Sequence, residues 1–119
     1  MVVEDDPTLR RVIEMVLDAR GYEVVQARHG AAALELMSES VPDIVIADLK
    51  MPFMDGSELI ERMALEPMLQ AVPVALLTGN LDAARAVAGA AAIVVKPFEP
   101  AVLVATIERL TERNPSPAV

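Results

Sequence analysis

The sequence predicts an α/β domain: a three-layer sandwich with a five-stranded parallel sheet between two layers of helices, five helices in all. Three observations carry this. Short apolar, β-branched runs around Val2, Ile44, Val74 and Ile93 are bounded by turn residues, the pattern of strands buried on both faces. The stretches between them place apolar residues at helical spacing. The chain has 119 residues, 54% hydrophobic but 3% aromatic, so it fits one domain with an aliphatic core.

Strand one is expected over residues 1–4. Asp6 then acts as an N-cap and Pro7 suits the first helical position. Helix one presents Leu9, Val12, Ile13, Val16 and Leu17 on one face, and Gly21 stops it. Strand two covers residues 22–27, and helix two residues 30–40 with Leu34 and Met37 inward. Pro42 and Asp43 turn the chain into strand three, residues 44–48. Helix three spans residues 56–66 with Leu59, Ile60 and Met63 inward, and Pro67 lies just beyond it. Strand four is residues 72–77, a short helix four residues 81–88, and strand five residues 91–95. Helix five runs from Glu99 and Pro100 to about residue 113, with Leu103, Ile107 and Leu110 inward. Residues 1–113 are thus one folded unit, and residues 114–119 read as a disordered tail. Alternating strands and helices give right-handed crossovers and a parallel sheet. The flavodoxin-like strand order 2-1-3-4-5 fits, with its switch point between strands one and three.

Each apolar run ends in a residue with chemistry. Glu4 and Asp5 follow strand one, Asp48 ends strand three, Thr78 follows strand four and Lys96 follows strand five. Ligands of open α/β sheets bind outside the carboxyl ends of the strands, so these five should share one rim. Three carboxylates crowd unfavourably without a cation, because like charges raise each other's pKa. Mg²⁺, which takes hard oxygen ligands, resolves this, and a carboxylate, an ammonium and a hydroxyl beside it describe a phosphoryl site. Asp6 is explained by capping alone. Lys96 could instead be a strand-end lysine reaching solvent, and Thr78 an ordinary strand-end hydroxyl.

These residues, in order, resemble the receiver domain of bacterial two-component response regulators. The resemblance rests on Glu4 and Asp5, on Asp48 followed by Met51, Pro52, Phe53, Met54, Asp55 and Gly56, on Thr78 with Gly79, and on Lys96, Pro97 and Phe98. It implies that Asp48 accepts a phosphoryl group, that Asp5 and Asp48 ligate Mg²⁺ with Glu4 acting through water, and that the Lys50 carbonyl is a further ligand. Thr78 and Lys96 would stabilise the transferred group, and the bond before Pro97 would be cis. The implied partners are a sensor histidine kinase or histidine phosphotransfer protein and a downstream protein target. The domain would be a phosphoryl acceptor with autophosphatase activity rather than a turnover enzyme. Gly79 would leave room for a phosphate, and Gly56 would let its loop close over the site. His29 reads as an exposed loop histidine, and Met51, Met54, Met63 and Met68 as core and loop packing.

Composition narrows the setting. A net charge of −8 argues against direct nucleic-acid binding, which needs a basic face. No apolar run approaches the ~20 residues that span a bilayer. No secretory signal is visible, and without cysteines there are no disulfides or thiolate metal sites; a cytoplasmic setting is expected. Three departures from the family pattern stand out. Strand one is short, Ile93 occupies the position where the family carries Tyr or Phe, and the stretch from Thr78 to Lys96 is about one helical turn short. Alternatives are a receiver segment of a larger DNA-binding regulator or hybrid kinase, a receiver-fold binding module that is never phosphorylated, and a flavodoxin-like cofactor protein. The last conflicts with acids where a phosphate loop would be.

Overall fold

The computed structural model describes residues 1–111. The expected tail and the last residues of the fifth helix lie outside them. The strands are β1 (Val2–Val3), β2 (Gln26–Ala27), β3 (Val45–Asp48), β4 (Val74–Thr78) and β5 (Ala92–Val95). The helices are α1 (Pro7–Asp18), α2 (Gly30–Glu39), α3 (Gly56–Ala64), α4 (Leu81–Arg85) and α5 (Pro100–Thr111), with a 3₁₀ turn at Pro67–Leu69. All strand pairs are parallel and the sheet order is β2-β1-β3-β4-β5. This is the three-layer flavodoxin-like sandwich the sequence predicts.

Side chains of successive strand residues point to opposite faces, and the two halves of the core follow that alternation. Val3, Val45, Ala47, Val74 and Leu76 pack beneath α2, α3 and α4. Val2, Ile46, Leu77 and Val94 pack against Ile13 and Leu17 of α1 and Leu103, Val104 and Ile107 of α5. Leu59, Ile60 and Met63 face inward as expected, as does Met37, while Leu34 and Leu110 are half-buried. Val12 departs from its expected place: it is 45% exposed. At 3.6 residues per turn it lies roughly a right angle from the middle of the stripe formed by Leu9, Ile13, Val16 and Leu17.

Helix ends follow local chemistry. The Asp6 carboxylate accepts from the Thr8 and Leu9 amides, a cap that contributes about 1 kcal/mol. Asp55 caps α3 and Asn80 caps α4 in the same way. His29, expected as an exposed loop residue, is half-buried and caps α2: its Nδ1 accepts from the Ala32 amide at 3.0 Å. Gly21, at φ +88°, ends the turn after α1.

Other differences from expectation have pairing or packing causes. β2 forms a ladder over two residues, not six, because β1 offers just Val2 and Val3 as partners, opposite Gln26 and Ala27. α3 stops at Ala64, and Pro67 starts a separate 3₁₀ turn held by a Leu69 N–H to Glu66 carbonyl bond. α4 ends at Arg85 rather than near residue 88. There the chain must turn back to β5, and Gly89, at φ +90°, lies where a Cβ would be 2.8 Å from Ile60. Met51, Met54 and Met63 are buried as expected, but Met68 is 75% exposed.

Candidate functional site

Glu4, Asp5, Asp48, Thr78 and Lys96 all lie at the C-terminal ends of β1, β3, β4 and β5, on one rim of the sheet. Register brings them level. Asp48 pairs with Leu77 and Thr78 with Val95, and the Lys96 N–H donates to the Thr78 carbonyl at 2.7 Å. Four of the five converge through their side chains. One oxygen each from Glu4, Asp5 and Asp48 lie within 4.8 Å of one another. The Lys96 ammonium donates to Asp48 Oδ2 at 2.7 Å and reaches Glu4 Oε1 at 3.5 Å. The Lys96–Pro97 peptide is cis.

The burial of these groups is uneven. Glu4 is 1% and Asp48 6% exposed, whereas Asp5 is open to solvent. Burial pushes the Glu4 carboxyl up to about 7; the Asp6 amide opposes this and the Asp48 carboxylate adds to it. For Lys96 burial acts to lower the pKa, but the hydrogen bond and charge of Asp48, with Glu4 behind it, outweigh it and the net direction is upward. Both Asp48 oxygens are engaged, since the Lys50 N–H donates to Oδ1 at 3.1 Å. Lys50 thus meets the site through its backbone, and its side chain is exposed.

Thr78 shares the rim but not the polar cluster. Its hydroxyl donates to the Asn80 carbonyl at 3.2 Å and accepts from the Asn80 N–H at 2.9 Å. That small ring turns the hydroxyl into its own loop. A Cβ on Gly79 would have nothing within 4 Å, so this side of the site has open space.

The loop from β3 to α3 closes against the strand end. The Gly56 N–H donates to the Leu49 carbonyl at 2.9 Å, and a Cβ at Gly56 would sit 2.8 Å from the Asp48 carbonyl oxygen. Only glycine permits that approach. Met51 and Met54 anchor the loop in the core, and Phe53 stands 99% exposed at φ +70°.

One residue escaped the sequence reading. Arg10, on α1, donates from its guanidinium to the Glu4 carbonyl at 2.7 Å and fixes the backbone between β1 and α1. Its spacing, six residues after Glu4, was the only signal, and a helix-surface arginine gives no reason to look for it. No buried side-chain nitrogen or oxygen among the described residues lacks a hydrogen-bond partner. A groove of about 430 Å³, lined by Tyr22, Leu36, Val41 and Asp43 among others, carries none of these site residues.

The acid cluster offers hard oxygen donors, and the ammonium sits on the carboxylate that ends the central strand. Such a set suits a divalent cation and a phosphoryl group. Comparison with known proteins gives the family. The response regulator receiver domain family matches residues 1–108. The DNA-binding response regulator MtrA of Mycolicibacterium smegmatis is 33% identical over 118 residues, 96% of this chain and 50% of that protein. The signal receiver domain of a signal transduction histidine kinase from Syntrophus aciditrophicus superposes with a TM-score of 0.86 at 33% identity, covering 99% of this chain and 95% of the other. Vibrio cholerae chemotaxis protein CheY4 gives 0.84 at 31% identity, covering 92% and 94%. The chain spans about half the length of the curated relatives it matches.

Proposed function

The chain belongs to the response regulator receiver family, and from that premise we propose that Asp48 is its phosphoacceptor, charged by a phosphohistidine on a sensor kinase or histidine phosphotransfer protein. The observation that carries this reading is the Lys96 ammonium 2.7 Å from Asp48 Oδ2, beside three carboxylates, at the C-terminal rim of the sheet. A lysine tied to the central carboxylate supplies positive charge where a transferred phosphoryl group would carry its negative oxygens.

Mg²⁺ fits the donor set, because the clustered groups are carboxylate oxygens with one member, Asp5, open to solvent. Asp5 and Asp48 would hold it directly, with Glu4 acting through water and the Lys50 carbonyl as a further donor. When bound, the cation neutralises charge that builds on the phosphoryl oxygens. In the transfer, an Asp48 oxygen attacks phosphorus as the phosphorus–nitrogen bond breaks; that electron pair leaves with the imidazole, which takes up a proton. The phosphorylated Asp48 no longer carries the charge that holds Lys96, and the ammonium moves to the phosphoryl oxygens. The Thr78 hydroxyl can donate to the same group once it releases Asn80, and this draws in the loop ahead of α4. Loss of the group to water returns the resting state.

The signal then passes to a downstream protein target. Partners of this kind are expected in the cytoplasm, and no helix among the described residues is long and apolar enough to cross a membrane. A net charge of −8 opposes direct contact of this segment with nucleic acid. A second reading, in which this is the receiver segment of a longer regulator, is favoured by the length of relatives such as MtrA, of which the chain covers 50%. The test of the phosphoacceptor reading is incubation with acetyl phosphate and Mg²⁺ followed by intact-mass measurement. One phosphoryl group should be gained, and none when Mg²⁺ is chelated; no gain under either condition would overturn it.

A further inference from the structure

We infer that Phe53 is a specificity residue for the protein phosphodonor: its ring is the anchor that the phosphohistidine-bearing partner covers when it reaches Asp48. This rests on the reading of Asp48 as the phosphoacceptor. The Phe53 side chain is 99% exposed, so it adds nothing to the core. Its backbone is unfavourable as well. The Met54 N–H donates to the Pro52 carbonyl at 2.8 Å, which makes a three-residue turn with Phe53 at its centre and φ +70°. Such a turn is rare and strained, and positive φ suits glycine better than a bulky residue. Folding alone gives no reason for phenylalanine here, and strained residues of this kind cluster at functional sites.

The loop that carries Phe53 is held on both sides of it. Met51 and Met54 are buried, the Gly56 N–H donates to the Leu49 carbonyl at 2.9 Å, and the Asp55 carboxylate accepts from the Glu58 N–H at 2.8 Å. An aromatic group fixed in place by its backbone loses little freedom on binding, and aromatic residues are enriched at protein interfaces. Geometry selects the occupant. A Cβ on Gly56 would lie 2.8 Å from the Asp48 carbonyl oxygen, and Phe53 is three residues from Gly56. Three residues span at most about 11 Å, so the Phe53 Cα lies no more than about 15 Å from that oxygen. Attack on phosphorus brings the donor's histidine into contact with Asp48, so their interface is centred there. A standard interface covers about 800 Å² of each partner, a patch roughly 16 Å in radius. Phe53 falls inside it, on the same rim of the sheet as the site. A small donor such as acetyl phosphate makes no such footprint.

The test compares two phosphodonors on the parent chain, Phe53→Ser, Phe53→Gly and Phe53→Tyr. One is acetyl phosphate with Mg²⁺. The other is a purified histidine phosphotransfer domain, phosphorylated on its histidine and chosen because it charges the parent. With acetyl phosphate all four proteins should be labelled within twofold of one rate. With the protein donor, kcat/KM should fall at least tenfold in Phe53→Ser and Phe53→Gly, through a higher KM with kcat kept, and Phe53→Tyr should retain most of it. Phe53→Gly relieves the positive φ, so it should unfold no lower than the parent. Unchanged protein-donor kinetics in Phe53→Ser and Phe53→Gly would overturn the proposal. So would an equal loss with both donors, or a Phe53→Gly that unfolds well below the parent, since either makes Phe53 a support of the loop. Failure of acetyl phosphate to label the parent would instead remove the phosphoacceptor reading, and this proposal with it.

Discussion

Gly56→Ala tests how the β3–α3 loop is held against the phosphoryl site. The added Cβ would lie 2.8 Å from the Asp48 carbonyl oxygen, 2.8 Å from Leu76 Cδ2 and 3.1 Å from Leu49 Cα. Leu76 can shift its side chain, but the other two contacts are backbone at the end of the central strand. Forcing a methyl into such a site costs about 1–3 kcal/mol. Alanine returns about 0.4–1 kcal/mol by restricting the unfolded chain, so the net loss is roughly 1–2 kcal/mol. At about 4 °C per kcal/mol for a domain of this size, Gly56→Ala should melt roughly 4–8 °C below the parent. Gly79→Ala is the control: with nothing within 4 Å of the new Cβ, it should stay within about 0.5 kcal/mol. Thermal unfolding by circular dichroism reads both. If Gly56→Ala melts with the parent, or Gly79→Ala falls as far, the close approach is not what fixes this loop.

Three further outcomes follow from the site. Asp5→Ala should weaken Mg²⁺ binding by at least tenfold in an NMR titration, and an unchanged affinity would remove Asp5 from the ligand set. Glu4, held up at about 7, keeps its proton in the fold where the unfolded chain releases it near 4.5, so metal-free stability should fall as pH rises from about 4.5 through about 7. Because nearby Mg²⁺ favours the ionised Glu4 carboxylate, its affinity should fall as pH drops below about 7, with proton release visible in calorimetry; a flat profile would contradict this. With beryllofluoride on Asp48, amide shifts should concentrate at Thr78, Gly79, Asn80 and Leu81, as the Thr78 hydroxyl leaves Asn80. Ile93, β-branched and stiff at χ1, should stay quiet, and the reverse pattern would locate the switch elsewhere.

The rim of the sheet was legible because each strand advertises itself twice, by an apolar run and by the polar residue that ends it. Asp48 after Ile44, Val45, Ile46 and Ala47 is readable without any neighbour. The fold order came with it, since the alternation of strands and helices leaves few topologies. What stayed hidden depends on partners distant in sequence. β2 is short because β1 is short, and nothing in residues 22–25 says so. α4 ends at Arg85, and the segment after it carries Gly89 close to Ile60 on another helix, a contact distant in sequence. Arg10 serves a backbone carbonyl, which no side-chain pattern records. Met68 looked like packing because methionine is usually buried, and just the 3₁₀ turn after Pro67 points it outward. Likewise the residue types gave Thr78 a place at the site, while its present bond to Asn80 follows from loop geometry.

The most direct measurement of the central claim is chemical mapping of the phosphorylated residue. The protein is treated with acetyl phosphate and Mg²⁺, the acyl phosphate is reduced with borohydride, and peptides are sequenced by tandem mass spectrometry. Homoserine should appear in place of Asp48 and nowhere else, and Asp48→Asn should yield none. Homoserine at Asp5, the five-carbon 5-hydroxynorvaline at Glu4, or an Asp48→Asn variant labelled at the parental rate, would contradict the account.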